Sequence, residues 1–370
     1  MNLDFSDEQK MLQTQARTFL SDKSSLSVCR SVLEGEEPFA RELWQGMAEL
    51  GWMATTIPEA YGGVGLGYLE LCVLAQELGR HLSPVPYSST MYLATEGLLL
   101  AASDSMKQQY LPQIAEGKLI GTLAVYEQAG GLHADTINTR VEKNKLTGGK
   151  VMVPDGDVAD FTLVLAQDGD SGLSLFLVDL TQDGVMRQTM ETMDPSRSHA
   201  RLQMEAVACE RVGKKGSGLV LIEKIFDRAS VLFGFEQIGG SEAALKMAKA
   251  YALERYTFGR PIGSYQAIKH KLAKMFVETS LAKSNCYYGA WALSQNNSEL
   301  SLAAATARVS SIKAFKECAE ENIQTHGGNG FTWEYDCHLF YRRAKLLALN
   351  IGSEMIWKDK IVNCLENELH

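Results

Sequence analysis

The chain has 370 residues, 45% of them hydrophobic and 22% charged, the composition of a globular protein long enough for two or three packed layers or domains. Its net charge of −9 and its lack of a basic arm argue against nucleic acid as a partner, leaving only a local cationic patch for a phosphorylated small molecule. No apolar run approaches bilayer length, "MNLDFSDEQK" lacks the basic and apolar regions of a secretory signal, and seven scattered cysteines without CxxC or Cys/His spacing predict reduced thiols in a cytoplasm and no metal site.

Residues 1–112 read as a helical domain. Ser6 with Gln9 three residues on is a capping-box pattern ahead of an amphipathic run. Two further helices flank a Pro/Gly-rich loop at 58–67, and Pro84 and Pro86 interrupt the next stretch. Residues 113–212 change character. "GTLAVYE", "NTRVEKNKLTGGKVMVPDG", "DFTLVLAQDGDSGLSLFLVDL" and "ARLQMEAVACERVG" are short β-type runs between Gly/Asp/Asn turns, which predicts a small barrel or sandwich. From Gly216 the chain returns to long helices, giving a C-terminal domain over 213–370. Val309, Ile312, Ala319 and Ile323 mark one face of a helix that Gly327 and Gly328 end.

Within the first C-terminal helix, "FDRASVLFGF" sets Asp227 beside Arg228. Read alone, the pair marks a helix start, with Asp suiting the dipole and Arg covering apolar surface with its stem. Two later segments carry more. In "YALERYTFGRPIGSYQAIKHKLAKM", Arg255 offers a planar fork to a pyrophosphate. In "QTHGGNGFTWEYDCHLFYRRAKLLALNIGSE", Gly327, Gly328 and Gly330 let the backbone approach a phosphate or an adenine edge, and Gln324 brings amide donors and an acceptor. A Gly-rich helix end and a packing Arg would explain either segment alone. His326 suits a cofactor contact or a loop hydrogen bond; His270 suits a solvent or interface position, and Trp333, Tyr335 and Phe340 suit core or interface packing.

Taken together, the Arg-x-x-Phe-Gly-Arg-Pro-Ile block followed by Gln, the Gln-x-His-Gly-Gly-x-Gly block and the helical–β–helical order resemble the acyl-CoA dehydrogenase family over nearly the whole chain. The resemblance implies an α+β multidomain fold: an N-terminal helical domain, a middle β-barrel and a C-terminal four-helix bundle. It implies FAD across a subunit interface, with Arg255, Phe258, Gln266, Gln324, Gly327, Gly328 and Ser353 as cofactor-binding residues, most of them on the AMP and pyrophosphate end of a neighbour's FAD. It further implies an acyl-CoA substrate that loses its α-proton to a base and its β-hydride to the flavin, giving an enoyl-CoA, with electron-transfer flavoprotein as acceptor. The assembly it implies is a homotetramer or an α2β2 heterotetramer.

Three departures qualify the resemblance. Where many members place the catalytic Glu in a Tyr-Glu-Gly-Thr turn, this chain has Asn350 and Ile351 before Gly352–Ser353, and isoleucine takes no proton. Some members carry the base on the first C-terminal helix, just before an Arg facing the thioester pocket. Asp227 holds that place with Arg228 as the substrate-binding Arg, and desolvation would raise the Asp pKa toward neutrality. A polar contact or a helix-end role stays open for it. The flavin-binding run, usually Thr-Glu-Pro-x-x-Gly-Ser-Asp, is "VYEQAGGLHADTINTR". It keeps Glu127 but has Gln128 for Pro, and "GGKVMVPDGDVADF" lacks the usual aromatic-Ile-Ser/Thr. Elements that hold the chain's own flavin ring are weakened, whereas those that clamp a neighbour's FAD remain. That asymmetry resembles heteromeric acyl-CoA dehydrogenases known for steroid side chains. Three functions therefore stand: an active dehydrogenase subunit, a non-catalytic partner completing a paralogue's FAD site, or an acyl-CoA oxidase-like flavoenzyme.

Overall fold

The computed structural model describes residues 5–35 and 37–368. Helix α1 (Asp7–Lys23) opens on the predicted capping box: Gln9 N–H donates to Ser6 Oγ at 3.2 Å and Ser6 N–H to Gln9 Oε1 at 2.9 Å. Helices α2 (Leu26–Leu33), α3 (Arg41–Glu49) and α4 (Tyr68–Arg80) come next. Pro84 and Pro86 lead into a helix rather than breaking one. Thr90 N–H bonds the Pro86 carbonyl at 3.2 Å, and Ser88–Thr95, all buried, is π-helical and continuous with α5 (Glu96–Ala101). Ser103 then caps α6 (Asp104–Ala115).

The middle of the chain forms one eight-stranded sheet. It contains β1 (Gly121–Ala124), β2 (Arg140–Glu142), β3 (Lys145–Pro154), β4 (Phe161–Gln167), β5 (Leu173–Asp179), β6 (Val185–Thr189), β7 (His199–Ala208) and β8 (Glu210–Val212). The order is β6-β7-β3-β2-β4-β5-β8, with β1 parallel to β4. Strand β4 is buried over six of its seven residues, as a central strand covered on both faces should be. The edge strand β6, "VMRQT", has no buried residue and fell outside the sequence-predicted runs, because it carries no apolar alternation.

Long helices complete the chain: α7 (Gly218–Glu254), a short hairpin of β9 (Tyr256–Thr257) and β10 (Arg260–Pro261), α8 (Gln266–Ser294), α9 (Leu300–His326), α10 (Cys337–Leu347) and α11 (Glu354–Glu368). The chain thus runs helical, sheet, helical, as its sequence predicts. Gly327, at φ +60°, ends α9.

The chain divides into two compact units, one of residues 1–31, 68–83 and 230–370, the other of residues 32–67 and 84–229. In the first, α4 and α7 cross backbone to backbone. A Cβ on Gly79 would stand 1.8 Å from the Glu236 carbonyl oxygen, and one on Gly239 would stand 1.8 Å from that of Gln76. Arg308, fully buried, donates to Gln237 Oε1 at 2.9 Å and to the Leu347 carbonyl that ends α10, with Phe233 under its guanidinium at 5.6 Å. In the second unit, Leu163, Val164, Leu165, Leu175 and Leu177 of β4 and β5 form the buried centre, each such side chain contributing about 1.5–3 kcal/mol. Among the described residues no cysteine is in a disulfide, and no helix is long and apolar enough to cross a membrane.

Candidate cofactor and catalytic site

Three of the sequence-predicted cofactor residues stand where α7 hands over to α8. Arg255 comes directly after the last residue of α7, and its carbonyl accepts from Ile262 N–H at 2.8 Å, closing the β9–β10 hairpin. The loop is Phe258–Gly259, with φ of +52° and +80°, the twist that a two-residue antiparallel turn demands. Few non-glycine residues accept that backbone, and Phe258 holds it with its ring 92% exposed. The hairpin is braced from α8: the Arg260 guanidinium lies 3.9 Å over the Tyr265 ring, and Tyr265 Oη donates to the Thr257 carbonyl at 2.9 Å. Gln266, exposed, begins α8, whose N-cap Tyr265 gives no side-chain capping bond.

The glycine loop meets this corner through Tyr251. The Tyr251 ring stacks on His326 with centroids 4.1 Å apart, and Asn329 Nδ2 donates to Tyr251 Oη at 3.1 Å. His326 also bonds the Asn322 carbonyl through Nδ1 at 2.8 Å, so it serves the loop. Burial holds its pKa below the usual histidine value. Gln324, Gly327 and Gly328 are exposed, and a Cβ added to either glycine would meet nothing within 4 Å. Gly330 differs, because a Cβ there would strike the Ile323 carbonyl oxygen at 2.5 Å.

These groups fit the nucleotide half of FAD. Arg255 is exposed and forms no ion pair among the described residues, leaving its fork for a pyrophosphate. The uncapped start of α8 favours an anion, the Phe258 face suits an adenine, and two side-chain-free residues leave the loop backbone approachable. Ser353, half-buried, stands at the start of α11 in the turn that Ile351 shares; the Ile351 side chain is 2% exposed.

Asp227 lies in the third turn of α7, which starts at Gly218, so the helix-start explanation fails. Its side chain is 8% exposed. Arg228 Nε stands 4.0 Å from Oε2 of the fully buried Glu96, the first residue of α5, so a second buried carboxylate faces the arginine. Sequence reasoning missed Glu96, whose signal was a lone acid inside the apolar run "LATEGLLLAAS".

The same unit holds Glu127. Its Oε1 accepts from Lys150 Nζ at 2.8 Å and from Thr139 N–H at 3.0 Å, and its Oε2 from Asn138 N–H at 2.7 Å. Burial raises the Glu127 pKa, but these hydrogen bonds outweigh it and hold the carboxyl below its usual value. Burial also pushes Lys150 down to about 8. Glu127 is thereby committed to Lys150 and the backbone. On β3, Met152 sits at φ +54° in a stretch of irregular register, and the Pro154 carbonyl is taken by Thr122 Oγ1.

Residues 6–118 match the model of the acyl-CoA dehydrogenase N-terminal domain, and residues 216–364 that of the acyl-CoA dehydrogenase C-terminal domain. The chain belongs to the acyl-CoA dehydrogenase family. It is 33% identical over 341 residues to acyl-CoA dehydrogenase IpdE2 of Mycobacterium tuberculosis (strain ATCC 25618 / H37Rv), covering 91% of each chain. The fold is also that of a chain in the ChsE4-ChsE5 complex from Mycobacterium tuberculosis, with TM-score 0.90, 26% identity and 99% of both chains covered. A chain of a Tcur3481-Tcur3483 steroid ACAD variant aligns with TM-score 0.89 and 26% identity over 98% of this chain and 99% of that one.

Proposed function

We propose that the chain is a subunit of an FAD-dependent acyl-CoA dehydrogenase that oxidises an acyl-CoA thioester to the 2,3-enoyl-CoA, in an α2β2 assembly with a paralogous chain. One observation carries the reading: Arg255, Phe258 and the Gln324–Gly328 loop, tied together through Tyr251, present unused donors and an exposed ring at one corner of the first unit. Bound FAD supplies the acceptor for the hydride leaving the β-carbon. Arg255 would neutralise pyrophosphate charge, the exposed Phe258 ring would offer a face to the adenine, and Gln266, Gln324 and Ser353 would hold the nucleotide through their polar side chains. Asp227 takes the α-proton onto its carboxylate, Ile351 being unable to, and Arg228 keeps positive charge beside it against Glu96. An electron-transfer flavoprotein would be the acceptor of electrons from the reduced cofactor. The ChsE4-ChsE5 and steroid ACAD neighbours support an unlike partner chain and a steroid-derived acyl group.

Replacement of Asp227 by Asn tests the base. Turnover should fall about a hundredfold or more with flavin content unchanged; retained turnover removes Asp227 from the role. The engagement of Glu127 by Lys150 and the loss of a hydroxyl from the 150–155 run favour a second reading, in which the chain completes a paralogue's FAD site without turning over substrate itself. Turnover of the particle assembled with the paralogue separates the two. Activity lost in Asp227→Asn with flavin retained denotes a catalytic subunit, and activity unchanged denotes the completing partner. A chain that purifies yellow on its own would overturn the α2β2 assembly.

A further inference from the structure

A groove of about 670 Å3 runs between α7 and α8 within the first unit. Leu245, Ala252, Leu272 and Phe276 are among its apolar lining, and Leu253 and Phe276 are 59% and 63% exposed. Its lining includes four lysines against one acid, Glu242, in a chain whose net charge is −9. Glu242 is already used, with Arg80 and Lys283 on its two oxygens. The lysines on the other faces of α8 are used as well: Lys271 pairs with Glu321 and Lys274 with Glu317. Lys246, Lys249 and Lys269, which rim the groove, pair with no acid among the described residues.

An apolar trough edged by uncompensated lysines is a surface left incomplete by this chain. A two-fold contact of the groove with its own copy would set lysine against lysine and is disfavoured. The geometry points to a helix of an unlike chain, with an apolar stripe flanked by carboxylates, lying in the α7–α8 groove with its acids on Lys246, Lys249 and Lys269. This assignment deepens the heteromer reading, on which it rests, by giving the chemistry of the partner's contact.

The test needs neither FAD nor turnover, so its failure is separable from failure of the enzymatic reading. Two labelled helical peptides of about 18 residues carry one leucine stripe, flanked in one by Glu and in the other by Lys, and are titrated with the full chain by fluorescence anisotropy. The Glu-flanked peptide should bind about tenfold tighter at low salt, and the advantage should shrink between about 50 and 300 mM NaCl. The Lys246→Glu/Lys249→Glu/Lys269→Glu variant, whose exposed changes should leave its melting temperature in place, should reverse the preference. Equal binding of the two peptides, or binding of neither, overturns the assignment. So does displacement of the acidic peptide by FAD, which would give the lysines to a nucleotide. Self-association of the chain alone, relieved by Leu253→Asp or Phe276→Asp in light scattering, overturns it too, because a second copy would then fill the groove.

Discussion

Phe258 is unfavourable to its own fold, and the proposed adenine contact is what would give its ring a use. Its φ of +52° costs about 1 kcal/mol or more against glycine, and its ring contributes nothing to the core at 92% exposure. Phe258→Gly should therefore leave thermal stability unchanged or raised while weakening flavin retention, seen as faster FAD loss in ultrafiltration; a falling melting temperature would contradict this. Gly328 gives a parallel case. A methyl there meets only open space, so Gly328→Ala should keep the fold and impair nucleotide binding alone. Arg255, Gln324 and the glycines stand out in the sequence because phosphate recognition would restrict which residue types can serve, and the fold leaves Arg255, Gln324, Gly327 and Gly328 exposed. The turn that presents Phe258 was not, since a phenylalanine followed by glycine carries no strong signal for positive φ at its first position. Asp227 was legible as a candidate but misplaced by the helix-start reading. The α-helix begins nine residues upstream of it, at Gly218, close to the Gly216 from which the sequence reads as helical.

At the level of elements, local chemistry was read correctly where it acts within one turn and lost where partners lie far off in sequence. The Ser6–Gln9 box and the Gly327 helix end need only neighbours. The π-helical Ser88–Thr95 was obscured by Pro84 and Pro86, which initiate that helix instead of ending one. The α4–α7 crossing depends on Gly79 and Gly239, 160 positions apart, and no periodicity announces it. It is nonetheless a sharp constraint. Gly79→Ala drives a methyl into the Glu236 carbonyl, so the two helices must separate; about 3 kcal/mol of stability should be lost. A chemical-denaturation curve superimposable on the parent's would show that the crossing yields at no cost.

For the whole molecule, acid is the predicted weakness. His81, His199, His326 and His338 all have pKa values lowered, in each case first by burial. With folded values below the ordinary 6.5, the unfolded chain takes up protons first as pH falls, so stability drains away below about pH 6.5. Glu127 and Glu242, held low by their ion pairs despite burial, add a second loss only below about 4.5; Asp155, raised by burial, runs the opposite way. Calorimetry should show the melting temperature dropping between about pH 7 and 5, before the carboxylates titrate; a flat profile there would mean that these rings protonate freely in the folded chain. Arg308 has a different consequence. Its guanidinium donates to the carbonyl of Leu347, the last residue of α10, four residues ahead of the buried Ile351. The last turn of α10 is thus anchored through a residue on α9, and a change at position 351 leaves that anchor untouched.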